Sequence, residues 1–331
     1  MKIKEVVGID ISKIDFDVRM HKSQDYNKFM NDKKGYRKLL KWVYKLSEFA
    51  QDEIFFIFEH TGLYSFNLAT FLTEKKVPFT LVSGLEIKRS MGITRGKDDK
   101  IDATRIAYYG YLRRDELTAY TMPSKPLSEL KSLFGLRRQL VRDRASFLAS
   151  LNEIRKFKLK KENTVEFAVK ESMIKILSTK IEKVEKRMAE IVESNPEMKL
   201  LFDLLISIPG IGTQNALSFI ITTHVFTKFK AWRAYAAYCG VAPFPNRSGT
   251  SVRGKTKVSS LANKEVKVLL TAAAYSVIRF DPELKAFYQR KIDEGKDKQL
   301  VINIIRCKII ARMFAVVKRG KPYVNIHKFA S

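Results

Sequence analysis

Two short runs constrain this chain more than any other feature. EVVGIDIS (residues 5–12) and EIFFIFEH (residues 53–60) are mostly β-branched, aromatic and apolar along their whole length. Such runs read as interior strands of a sheet covered on both faces. Yet Asp10 sits within the first and Glu59 near the end of the second. A carboxylate inside a buried sheet is costly unless something pairs with it. These two acids therefore mark a site rather than a packing surface.

The rest of the first 115 residues alternates strand and helix. DFDVRM follows the first run after a short turn and predicts a hairpin, with DYNKFMND as a third strand. KGYRKLLKWVYKLSEF places Leu39, Leu40, Trp42, Val43 and Leu46 at helical spacing. After the buried fourth strand come the helix LYSFNLATFLTEKK, the strand PFTLVS and the helix DDKIDATRIAYYGYL. The order β-β-β-α-β-α-β-α is that of an RNase H-like domain.

A proline-bearing linker, TAYTMPSKPLS, follows. Beyond it lie two long helical stretches, about 127–159 and a second whose Ile174, Leu177, Ile181, Val184, Met188 and Ile191 form a coiled-coil seam. Joined near KKENT, they predict an antiparallel hairpin ending at SNPEMK. From residue 200 the pattern is again helical. The fold class expected is thus α/β plus α. Residues 1–116 are expected to form an RNase H-like domain, 117–199 a linker and coiled-coil hairpin, and 200–331 a mainly helical domain.

Sixty-two Lys and Arg against 35 Asp and Glu leave a formal charge of +27 over 331 residues. A surplus that large points to a polyanionic partner, and nucleic acid is the usual one. An apolar content of 45% excludes a disordered chain. Cys239, Cys307 and four histidines make no zinc-ligand spacing. No run is apolar enough for a membrane helix, and MKIKEVVGID lacks the apolar core of a signal peptide. A cytoplasmic, nucleoid-associated protein is expected.

Asp99 and Asp102 lie three apart near a helix start and share a face. Helix N-termini tolerate acids for dipole reasons, which accounts for Asp98 and Asp99 but not for Asp10 or Glu59. Asp10, Glu59, Asp99 and Asp102, from two strands and a helix, can converge on a pair of ions about 4 Å apart, the arrangement used for phosphodiester chemistry. Hard oxygen donors suit Mg²⁺ or Mn²⁺.

Far downstream, PFPNRSGTSVRGKTK (residues 243–257) carries Arg247, Arg253, Lys255 and Lys257 and no acidic residue. A serine there either contacts a phosphate or attacks one, and the residues alone leave both open. Gly249 lets backbone approach a nucleic acid closely. In IPGIG, Gly210 and Gly212 make a tight turn between two helices. It reads either as a helix-hairpin-helix element whose amides receive a phosphate or as a corner packed tightly on glycine. Trp232, Tyr235, Tyr238 and Phe244 flank the serine stretch and read as core rather than as base-stacking platforms.

Taken in order, GIDISK, FEHTG, KDDKIDA, IPGIGTQNA and GVAPFPNRSGTSVRGK resemble the DEDD transposases of bacterial insertion sequences, the bridge-RNA-guided serine recombinases of the IS110 family. The resemblance runs from about Lys4 to Tyr323. It implies a RuvC-like N-terminal domain in which Asp10, Glu59, Asp99 and Asp102 bind metal. Where the family commonly has Lys-Thr-Asp, this chain has Lys97-Asp98-Asp99, and spacing to Asp102 favours Asp99. Ser248, before a glycine and after an Ala-Pro stretch, matches the family's nucleophile.

The resemblance further implies DNA strand cleavage and rejoining through a covalent phosphoserine–DNA intermediate. Donor and target DNA, a structured guide RNA and a homo-oligomer of dimers paired into a tetramer are its implied partners. In such an assembly, carboxylates of one protomer act with Ser248 of another. Two other readings compete. One is a metal-dependent nuclease resembling a Holliday-junction resolvase, with water as nucleophile. The other is a non-catalytic nucleic-acid-binding protein.

Overall fold

The computed structural model describes residues 2–92, 98–157, 164–248 and 252–324. They fall into two compact units, Met1–Met122 and Pro123–Ser331.

The first unit is built on a five-stranded sheet. Its strands are β1 (Glu5–Ile11), β2 (Asp15–Met20), β3 (Tyr26–Met30), β4 (Ile54–Glu59) and β5 (Phe79–Val82), in the order β3-β2-β1-β4-β5. β2 runs antiparallel to both neighbours, while β1, β4 and β5 are parallel. Alternate residues of each strand serve opposite faces. Val7, Ile9 and Ile11 of β1 and Phe56 and Phe58 of β4 bury against α1 (Lys33–Leu46) and α2 (Leu63–Glu74). Val6, Phe55 and Ile57 bury on the other side against α3 (Gly84–Ser90) and α4 (Asp99–Leu112).

This two-sided burial is why β1 and β4 read as unbroken apolar runs. It also sorts the exceptions. Asp10 shares its face with Val6, and Glu59 with Phe55 and Ile57, so both acids belong to the α4 side at the carboxyl ends of their strands. The short helix α3 was not expected from the sequence, where seven residues give too little periodicity. The linker begins on the first unit: the Tyr120 amide donates to the Phe79 carbonyl at 2.7 Å, and the two rings lie 5.8 Å apart.

The second unit starts with α5 (Lys125–Phe157) and α6 (Thr164–Glu193), packed antiparallel. Cross-links along their length show the direction, with Arg187 to Glu129 at 2.8 Å, Arg137 to Glu185 at 2.6 Å and Lys170 to Ser150 at 2.8 Å. Leu177, Ile181, Val184, Met188 and Ile191 are buried along α6. There follow α7 (Pro196–Ile206), α8 (Thr213–Thr222), α9 (Trp232–Tyr238), α10 (Lys264–Phe280), α11 (Pro282–Asp293) and α12 (Lys298–Arg319). α12 runs through their common core, burying Val301, Ile305, Ile309, Met313 and Val316.

Between α9 and α10 the chain departs from the helical pattern. There β6 (Pro243–Ser248) and β7 (Val252–Val258) pair as a two-stranded antiparallel hairpin. Pro243 opens its strand, and Pro245 lies within the register shift between Phe244 and Asn246. Those are positions where the missing amide hydrogen does no harm.

Candidate active site

The acid cluster depends first on a glycine. At Gly8, a Cβ would lie 2.2 Å from the Ala107 amide nitrogen and 2.6 Å from the Ala103 carbonyl oxygen. The absence of a side chain on β1, with alanines opposite on α4, lets the helix lie directly on the strand. The first turn of α4 is thereby brought over the end of β1, with Asp99 and Asp102 beside Asp10. Asp98 is spent otherwise. It is the N-cap of α4, accepting from the Lys100 amide at 3.4 Å.

Glu59 is placed by a second close approach. Its carboxylate fills the space a Cβ on Gly84 would need, 2.2 Å from Oε1 and 2.8 Å from Oε2. Gly84 opens α3, so the carboxylate rests at that helix's N-terminus.

The electrostatics show that these acids share one field. The Asp10 carboxyl is pushed up to about 6 from its ordinary 3.8, by burial first and then by Asp102, Asp99, Glu59 and Asp17. Asp102 is offset by Arg105, one turn on, at 2.9 Å. Among the described residues no three His, Cys, Asp or Glu side chains form a closed metal-ligand set. In kind and charge, however, the four carboxylates fit a hard divalent cation such as Mg²⁺ or Mn²⁺.

Asp17 escaped the sequence reading. It is 3% exposed, accepts from the Tyr26 hydroxyl and lies 3.4 Å from Lys28. Alternation within DFDVRM puts it on one face with Asp15 and Arg19. Only the β1–β2 register reveals that this is the Asp10 face. Gly8 and Gly84 were equally silent, because nothing local in the sequence distinguishes a close-approach glycine.

Ser248 is the last residue of β6, paired with Val252, and Arg247 pairs with Arg253. Arg247, Ser248, Arg253 and Lys255 are placed by their backbone along this hairpin, and Lys257 is exposed on β7 opposite Phe244. Gly249 lies outside the described residues. The hairpin thus holds Ser248 in the same two-stranded ribbon as four basic residues. Of the flanking aromatics, Tyr235 is fully buried, Trp232 and Tyr238 are half-buried, and Phe244 is 48% exposed.

In the α7–α8 turn, Gly210 is left-handed at φ 81°, and its missing Cβ faces Val277 of α10, which such a carbon would meet at 2.3 Å. Gly212 caps α8 in open space. The first glycine is therefore taken up by packing, while a side chain at the second would meet nothing.

Comparison with known proteins bears on both units. A transposase model of the DEDD IS110 type matches residues 7–157. A model described as transposase, IS116/IS110/IS902 family, matches residues 202–289. The pilin gene-inverting proteins of Moraxella lacunata and Moraxella bovis are each 25% identical over 329 residues, 97% of this chain and 98% of theirs. An uncharacterized 43.6 kDa protein of insertion element IS110 from Streptomyces coelicolor is 26% identical over 140 residues, 42% of this chain and 33% of its own. With two models of one family matched in succession over more than two thirds of its length, the chain belongs to the IS110 family of transposases.

Proposed function

We propose that this DNA transposase cuts and rejoins strands with Ser248 as nucleophile and with Asp10, Glu59, Asp99 and Asp102 as the holders of divalent metal, Mg²⁺ or Mn²⁺. The observation that carries the reading is the field at Asp10. Asp10 is raised there by burial first and then by Asp102, Asp99 and Glu59, and among the described residues it has no ion pair. Such a set is stable when a cation draws the carboxylates in. The sheet order, with β2 alone running against its neighbours, supports an RNase H-like assignment for the first unit.

In this mechanism the Ser248 Oγ bonds to the scissile phosphorus and a sugar hydroxyl leaves, the serine proton passing to solvent or to the leaving oxygen. The product is a phosphoserine–DNA ester, and reversal of the step onto a new hydroxyl rejoins the strand. Metal, when bound, polarises the phosphate and offsets charge in the transition state. Arg247, Arg253 and Lys255 balance the non-bridging oxygens. Two relatives are named for inverting a pilin gene, a rearrangement that requires both cleavage and rejoining and so supports a recombinase over a simple nuclease.

The charge of +27 fits a protein that holds donor DNA, target DNA and a guide RNA together. The oligomer proposed is a pair of dimers. In it the Ser248 hairpin of one protomer serves the carboxylates of another.

The test is an SDS-resistant protein–DNA adduct, formed in Mg²⁺ with the element's own DNA and transcribed RNA. Wild type forms it, mass spectrometry maps it to Ser248, and Ser248→Ala abolishes it together with cleavage. Cleavage without an adduct in either protein replaces this reading with a water-using nuclease.

A further inference from the structure

The first turn of α4 carries acids, while the next two turns carry a different chemistry. Ile101, Thr104, Arg105 and Tyr108 recur at positions that share one helix face. Ile101 is 39% exposed and Tyr108 46%. With Arg19 of β2, Met91 and Lys100, they line a pocket of about 380 Å³.

Two features separate this pocket from ordinary surface. The Arg19 Nε is buried and has no hydrogen-bond partner among the described residues, although its guanidinium also reaches Gln24. Arg105 donates to Asp102 at 2.9 Å, so pocket and acid cluster share a wall. Further along α4, outside the pocket lining, Tyr111 is stacked on His21 at 4.0 Å, with Lys22 and Arg114 over its ring. The result is an aromatic and aliphatic floor with a cationic rim, leading away from the carboxylates.

We propose that this pocket seats one unpaired nucleotide of the DNA strand held at the acid cluster. The base lies against Tyr108, Ile101 and Met91, and its phosphates meet Arg19, Lys100 and Arg105. Charge complementarity selects a polyanion over a second copy of this basic chain. An exposed ring selects an unpaired base, because a paired base has both faces already stacked. Continuity with the carboxylates selects the strand being cut. The inference rests on the proposed reading that those carboxylates act on DNA.

The test uses full-length protein in EDTA, so that binding is read without cleavage. Its probes are a short single-stranded DNA bearing one 2-aminopurine, the same sequence as duplex, and its RNA counterpart. Wild type binds the single-stranded DNA and quenches the aminopurine. Tyr108→Ala weakens that binding about tenfold and loses the quench, Tyr108→Phe keeps both, and duplex affinity is unchanged in all three. Equal affinity and quench in wild type and Tyr108→Ala overturn the proposal. So does tighter binding of the RNA, or a Tyr108→Ala change confined to oligomeric mass. Asp10→Asn, assayed for cleavage in Mg²⁺ and for quench in EDTA, separates the two readings. Unimpaired cleavage there refutes the catalytic reading without touching the pocket.

Discussion

Asp10 of β1 and Asp17 of β2 stand directly opposite each other, with Lys28 of β3 next in the same cross-strand row. Like charges so placed oppose strand pairing. Asp17 is relieved by Lys28 and by the Tyr26 hydroxyl. Asp10 has no ion pair or hydrogen bond among the described residues, and its carboxyl rises to about 6. The strand pair therefore stores repulsion at the position where the chemistry is proposed.

Burial of Asp10, and after it the charges of Asp102, Asp99, Glu59 and Asp17, fix a pH dependence. Asp10 binds its proton more tightly folded than unfolded, so the group favours folding below about pH 4. The benefit is lost as pH rises from about 4 through 6. In EDTA, Asp10→Asn and wild type should melt together at pH 4. At pH 7 the variant should melt higher, by about 1 kcal/mol or 2–4 °C after allowing for partial exposure. Mg²⁺ should raise the wild-type midpoint and not the variant's. Coincident melting at pH 7 would mean that burial and the neighbouring acids do not raise Asp10 as described.

Much of this was legible in the sequence, for identifiable reasons. β1 and β4 declared themselves because burial on both faces leaves apolar runs, against which Asp10 and Glu59 stood out. The long helix α6 was visible through a seam repeated over many turns, and α5 as a long helical stretch before it. The β6–β7 hairpin was not, because Pro243 and Pro245 argue against a strand until the bulge that admits them is known. Asp17 was missed because cross-strand partnership depends on register, which no local pattern encodes. Gly8 and Gly84 look like any other glycine until the opposing backbone or carboxylate is in place.

Gly8 offers a direct test of how the acids are assembled. A methyl group there meets backbone atoms of Ala103 and Ala107, which cannot turn aside as a side chain can. Gly8→Ala should lift α4 from β1, lower stability by about 1–3 kcal/mol and carry Asp99 and Asp102 away from Asp10. Strand cleavage at a temperature where the variant is folded should fall by about a hundredfold. Titration with Mn²⁺ should show correspondingly weaker binding. Full cleavage in a folded variant would show that the α4–β1 contact does not set the geometry.

Gly84 separates function from stability more cleanly. The atoms a Cβ would meet are the end of the Glu59 side chain, which can swing away at little cost to the fold. Gly84→Ala should therefore stay within about 0.5 kcal/mol of wild type in denaturant melts. Its cleavage should fall by about 10–100-fold, because Glu59 is displaced from the cluster. Glu59→Gln should show a defect in the same direction. An active Gly84→Ala beside an inactive Glu59→Gln would mean that Glu59 works from another position.

Arg247 and Arg253 are cross-strand partners one register step from Ser248 and Val252. Like charges on cross-strand partners disfavour pairing in general, a cost that DNA phosphate would offset. Arg253→Gln should leave the fold intact and lower the magnitude of the slope of log K against log salt by about 0.9 on duplex DNA, the loss of one neutralised phosphate. Binding should weaken evenly across sequences, since phosphate contacts carry no base readout. The same substitution should slow formation of the Ser248 adduct more than it weakens binding, because the charge it removes is needed most when the phosphate becomes pentacoordinate. A slope equal to wild type would place Arg253 away from phosphate and leave charge balance at the serine to Arg247 and Lys255.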